Sequence, residues 1–195
     1  MKFKKRLLSL LLVMVMLMTM IPNIVFGEGE EIELGDGEYR IGVSALETDS
    51  DEQSVMEDYM AEDTAGLTVE AESITAQLTV TDSVYGMEYM SVADFVYASL
   101  DSEDAGAGTK TYSFGVDNIA DSVTMRAYIQ DQSMIDFRLV FDTGNIENVT
   151  PVEFADENLK NAICAQMKKS SNYTVTVGDM ESLAELDLSD WGITE

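Results

Sequence analysis

With 37 carboxylates, eight tyrosines, thirteen methionines, one cysteine and no histidine, this chain brings mainly oxygen and thioether sulfur to any chemistry. Without an imidazole there is no Ser-His-Asp triad and no H-E-x-x-H zinc site. A lone cysteine excludes an intrachain disulfide, a thiolate zinc cluster and an iron–sulfur centre. The run Asp49-Ser50-Asp51-Glu52 invites a calcium reading. An EF-hand loop begun at Asp49 needs Gly at its sixth position and Glu at its twelfth, where Ser54 and Met60 stand, so the run reads as a solvated acidic loop. Carboxylate pairs are numerous, but no spacing singles one out for acid–base work. Nothing has the form of a phosphate-cradling glycine loop. The expectation is a binding protein, not an enzyme.

Two places offer candidate binding side chains. Ser54-Val55-Met56-Glu57 has the Ser-x-x-Glu form of a capping box, and Met56, Tyr59 and Met60 follow at i, i+3 and i+4. This predicts two or three helical turns with one apolar face. Further on, Tyr128 alternates outward from Met125, Ala127 and Ile129, facing a pocket or water, and Met134 lies in the stretch Gln130–Asp136.

These residues must be positioned by strands. Segments 39–46, 66–70, 73–81, 93–101, 109–116, 123–129 and 135–142 are rich in Val, Ile, Thr, Tyr and Phe, and many alternate. Seven or eight short strands over about 105 residues predict an all-β sandwich or barrel. Residues 101–109 read as a hairpin loop. Thr143-Gly144-Asn145 and Val149-Thr150-Pro151 read as a linker. Asp156 then caps a helix lined by Leu159, Ile163 and Met167, where Cys164 reads as a small buried apolar residue.

The first 27 residues join a basic start (Lys2, Lys4, Lys5, Arg6) to an apolar run and a Val25-x-Gly27 site, the layout of a cleavable secretory signal peptide. Residues 28–37 read as an acidic linker. Loss of the signal removes four cations and no acid, leaving a chain more negative than its starting charge of −26. That charge argues against nucleic acid as a partner. After cleavage no membrane span is expected.

The segment 36–142 resembles a NEAT (near iron transporter) domain, the immunoglobulin-like sandwich of Gram-positive surface haem receptors. Asp36-Gly37-Glu38-Tyr39 looks like its opening, and Ser54-Val55-Met56-Glu57-Asp58-Tyr59 looks like its lip helix. Leu100–Asp104 with Lys110–Phe114 looks like its long hairpin, and Phe137–Asp142 like its last strand. The family carries a Tyr-x-x-x-Tyr pair just before that strand, whose first phenolate ligates haem iron. Here the equivalent residues 130–136 hold no tyrosine.

The segment 149–195 resembles the cap and first repeat of internalin-like leucine-rich repeat proteins. Phe154–Leu159 looks like the cap helix start. Leu183-x-x-Leu186-x-Leu188-x-x-Trp191-x-Ile193 matches the repeat, with Trp191 where Asn is usual. One repeat cannot bury its own face, so this piece reads as the start of a longer array or a truncated one.

The expected fold is therefore an all-β, immunoglobulin-like NEAT sandwich (residues 38–142) with a short lip helix, followed by a small α/β leucine-rich-repeat cap. The resemblance implies a secreted or cell-surface Gram-positive protein capturing haem or a haemoprotein for iron acquisition, with the repeats free to bind other proteins. Ser54 would meet a haem propionate or simply cap its helix. Met56, Tyr59 and Met60 would cover the haem face or close the sandwich end. Tyr128 or Met134 would replace the missing phenolate, Met134 being the candidate metal ligand. The rival expectation is an adhesion or scaffold protein whose sandwich has lost haem.

Overall fold

The computed structural model describes residues 32–81, 87–92, 96–129 and 134–186. The residues read as a signal peptide, residues 130–133, and Leu188, Trp191 and Ile193 of the repeat pattern lie outside the described residues.

One antiparallel sheet carries the fold. Its strands are β1 (Gly37–Leu46), β2 (Thr64–Glu70), β3 (Ser73–Thr81), β4 (Met87–Val92), β5 (Val96–Tyr97), β6 (Ser99–Asp104), β7 (Thr109–Val116), β8 (Val123–Ile129) and β9 (Ile135–Asn148). They lie in the order β5-β4-β8-β9-β1-β2-β3-β7-β6. The two edge strands, β5 and β6, are separated in sequence by Ala98 alone, so the sheet curls back on itself into a nearly closed, barrel-like sandwich.

The period-two pattern explains which face is inside. Ile41, Val43 and Ala45 of β1, Leu78 and Val80 of β3, Met125, Ala127 and Ile129 of β8, and Phe137, Leu139 and Phe141 of β9 form one core. Their neighbours Thr124, Arg126, Asp136 and Arg138 point outward.

Three elements differ from the sequence expectation. Strand β4 lay unread because its register shifts between Met87 and Tyr89, and Met90 and Ser91 are both buried, which breaks the alternation. The acidic residues 101–104 are strand, paired to β7, and the turn is confined to 105–108. Thr143-Gly144-Asn145 is no linker: β9 continues through it as a bulge opposite the Ile41/Gly42 step and pairs again with β1, Ile146 facing Ile41 and Asn148 facing Tyr39.

After β9 come two short helices, α1 (Glu157–Gln166) and α2 (Val177–Ser182). Asp156 caps α1, its carboxylate accepting from the Asn158 and Leu159 amides. Thr176 and Asp179 form a capping box at α2. Ile163, Cys164 and Val175 make a separate small core beneath Phe154, Leu159, Met167 and Met180. The pair is tied back to the sheet: Val149 donates to the Glu38 carbonyl at 2.8 Å, and the Glu38 amide donates to Thr150 Oγ1 at 2.8 Å. Among the described residues no helix is long and apolar enough to cross a membrane.

Candidate functional site

The β1–β9 register brings the candidate residues to one end of the sheet. Leu46, the last residue of β1, faces Arg138. The start of β9 and the loop leaving β1 therefore lie at the same end. Met60, just past the short helix, bridges Val80 near the end of β3.

The loop between β1 and the helix is held by Arg138. Its guanidinium donates to the Glu47 carbonyl at 3.1 Å, the Ser50 carbonyl at 2.8 Å and the Asp51 carboxylate at 2.9 Å. The acidic run 49–52 thus faces an arginine. Among the described residues no cluster of Cys, Asp and Glu is placed to hold a metal ion.

The helix itself, Val55–Tyr59, is a single 3-10 segment. Ser54 caps it, Oγ accepting from the Met56 amide at 3.3 Å. The expected capping box is rewired. The Ser54 amide donates to the Ala45 carbonyl at 2.9 Å, and Glu57 Oε2 accepts from the Ala45 amide at 2.5 Å. Glu57 therefore clamps the helix to β1 instead of closing on its own cap. At the far end Thr81 Oγ1 donates to the Tyr59 carbonyl at 3.0 Å, and the Ala61 amide to the Thr79 carbonyl at 2.9 Å.

A 3-10 helix repeats every three residues, so positions 55 and 58 share one side and 56 and 59 another. Met56 points inward and is fully buried in the core, while Tyr59 and Met60 are half-buried against it. Ser54 is 3% exposed, with its hydroxyl directed to the Met56 amide. The apolar side chain that the helix offers to solvent is Val55, 51% exposed, which the i, i+3, i+4 reading passed over.

Tyr128 and Met134 gather elsewhere, on the outer face of the β8–β9 arm. Tyr128 pairs across strands with Tyr89 of β4, and their rings stack at 5.3 Å, 10° apart. Tyr97 of β5 meets Tyr89 edge-on at 5.5 Å and 76°. The Tyr89 hydroxyl lies 4.0 Å from Met134 Sδ, and Met134 is itself 53% exposed. Alongside, Arg126 and Asp136 form a bidentate ion pair, with Nη2 2.8 Å from Oδ2. The hydrogen bond and charge of Arg126 hold the Asp136 carboxyl below its ordinary value, and Asp136 with Tyr89 raises Arg126. Tyr89 escaped sequence reasoning because β4 itself did, whereas Tyr97 lies in the segment 93–101 that reads as a strand but was not singled out for binding. The available signal was the Tyr89-x-Ser91 row ahead of Val96-Tyr97.

The six predicted residues thus divide. Ser54, Met56, Tyr59 and Met60 build and anchor the helix. Tyr128 and Met134 join Tyr89 and Tyr97 outside the hairpin. At the opposite end of the sheet a cleft is lined by Ile32, Leu34, Val69 and Ile74 together with Glu33, Glu72, Asp117 and Asn118, and its three carboxylates oppose an anionic ligand.

Comparison with known proteins follows the same boundary. The family model described as NEAT, iron transport-associated domain, matches residues 33–145. Two similar solved structures are a mutant NEAT5 domain of IsdX2 in complex with heme and the NEAT5 domain of IsdX2, a B. anthracis hemophore, in complex with heme. They are 22% and 21% identical to this chain, cover 57% of it and 99% of their own lengths, and superpose with a TM-score of 0.53. At that identity the likeness is one of fold. No curated protein matches the chain.

Proposed function

Because the chain belongs to the NEAT family of iron transport-associated domains, we propose that it captures haem, free or from a haemoprotein, for iron acquisition. The family match across the whole sandwich is the observation that carries this reading. The proposed site is the end of the sheet where β1 gives way to the 3-10 helix and Met134 precedes β9. Val55 and Met134, each about half exposed, offer apolar surface to a porphyrin, with Tyr59 and Met60 behind. Burial supplies roughly 25 cal/mol per Å² of apolar area. Tyr89, Tyr128 and Met134 supply the oxygen and sulfur donors next to the hairpin. On this reading haem is cargo, the protein is not an enzyme, and capture takes place outside the cell, either in secreted form or at a Gram-positive surface.

Residues 149–195 are read as the beginning of a leucine-rich repeat domain that takes protein partners. The sequence pattern Leu183-x-x-Leu186-x-Leu188 is what carries that reading.

One observation favours a second reading, an adhesion or scaffold protein that has lost haem. The Ser54 hydroxyl is directed to a backbone amide and Met56 to the core, so neither is presented to a ligand. Titration of the protein with ferric haemin, followed in the Soret region, decides between them. Saturable binding at micromolar haemin is expected. Its absence refutes haem capture and leaves the scaffold.

A further inference from the structure

We propose that the cleft at the end of the sheet remote from the 3-10 helix is a docking site for a lysine side chain, presented by a basic segment of a partner protein. The cleft has a volume of about 390 Å³. Its apolar part is continuous with the sandwich core: Val69 belongs to that core, and Ile32, Leu34 and Ile74 pack against it. Its polar part carries three exposed carboxylates, Glu33, Glu72 and Asp117. Among the described residues no basic side chain lines it. Arg40, Arg126 and Arg138 are engaged elsewhere, with Glu147, Asp136 and Asp51.

An apolar floor under an anionic rim fits a cation carried on an apolar stem. A lysine stem lies along aliphatic side chains while its ammonium stays at the wet rim. The ammonium is a compact charge with three rotatable donors, one for each carboxylate, whereas the planar fork of arginine is matched to a single carboxylate. The lysine comes from a protein. Free lysine adds a carboxylate that this chain, with a net charge of −26, repels, while an amide-linked lysine brings only its cation. The same negative field draws a basic protein surface toward the cleft.

The walls are built before anything binds. The Tyr39 hydroxyl donates to the Gly35 carbonyl at 2.9 Å, and the Ala71 amide donates to the Asp36 carboxylate at 2.9 Å. These bonds fix the strap 32–36 to β1 and to the β2–β3 turn. In that turn Ala71 and Glu72 both have positive φ, 48° and 69°, a conformation suited to Asn-Gly. Glu72 thus holds a carboxylate at the cleft at a backbone cost that glycine would avoid.

The test titrates the full chain with a terminally blocked peptide in which one lysine is flanked by glycine and serine, followed by amide NMR shifts. Saturable shifts in the strap, the β2–β3 turn and Asp117-Asn118 are expected, weakening as salt rises. Glu33→Gln, Glu72→Gln and Asp117→Asn should each weaken binding roughly two- to fivefold, the range for an exposed ion pair, and the triple variant should abolish it. A norleucine peptide, which keeps the stem without the charge, should not bind. A diaminopropionic acid peptide, which keeps the charge on a single carbon, should bind more weakly than lysine. Glu72→Gly should weaken binding with an equal or higher melting temperature, which separates loss of the rim from misfolding. No saturable shift in the wild type, or undiminished binding by the triple variant, would overturn the site. An arginine peptide that binds as tightly would overturn the choice of lysine. Equal binding of n-butylammonium would make this a small-amine site and overturn the protein partner. Haemin titration of the same variants should match the wild type, so either reading can fail without the other.

Discussion

Val55 and Met56 are adjacent in sequence and opposite in environment, and truncating each to alanine separates stability from binding. Met56 is fully buried among core side chains. Losing a buried methionine side chain costs about 2–5 kcal/mol, more where the surroundings cannot close over the gap. They are poorly able to close here. The helix is held to β1 through Ser54 and Glu57 and to β3 through Met60 and Thr81. Met56→Ala should therefore fall in the upper half of that range. For a domain of this size it lowers the melting temperature by roughly 10 °C or more. Val55 is 51% exposed and should change stability by no more than about 0.5 kcal/mol. Its loss should instead weaken haemin binding. Thermal and urea unfolding of the ligand-free proteins measures the first effect, and titration at a temperature where all are folded measures the second. If Met56→Ala melts with the wild type, or Val55→Ala is equally destabilised, the 3-10 geometry that separates the two side chains is refuted.

Gly178→Ala should loosen α2 from β9, because an added Cβ would sit 2.7 Å from the Asn148 carbonyl oxygen. A cost of about 1–3 kcal/mol is expected, seen as faster amide exchange in α2. A fragment ending at Thr150 should be more stable in urea than one ending at Asp142, since only the former keeps Ile146 against the core and the Thr150–Glu38 hydrogen bonds. Burial pushes the Asp179 carboxyl up, but the Thr176 amide and hydroxyl, the Tyr173 hydroxyl and Lys169 outweigh this and leave it below its ordinary value. Its contribution is therefore complete above a pH of about 4 and is lost as pH falls through the lower folded value. An NMR titration should show this acid limb for α2, and Asp179→Asn should remove it.

Much of the sandwich was legible because its strands obey a period of two, and Phe137, Leu139 and Phe141 announce an inner face without any tertiary information. Where that period breaks, legibility ends. The β4 bulge hid Tyr89, and the Gly144 bulge in β9 looked like the close of a domain. At the helix, Met56 and Tyr59 satisfy a three-fold and a 3.6-fold repeat alike, so their i, i+3 spacing does not distinguish a 3-10 turn from the expected α-helix. Glu57 was misassigned for a similar reason: its carboxylate satisfies an amide on β1, twelve residues back. Asp156 was readable because capping is local and its partners lie within three residues.

The pairing of β1 with β9 makes entry and exit of the sandwich neighbours, with Glu38 bonded to both Val149 and Thr150. A fold whose two ends meet behaves as a cassette. It can be spliced into a longer polypeptide, or copied in tandem like beads on a string, with no strand pairing inside it disturbed. Whatever chain flanks it also emerges from the end remote from the 3-10 helix. Neighbouring modules are thereby directed away from the candidate site, and each copy in such an array would keep its own mouth open.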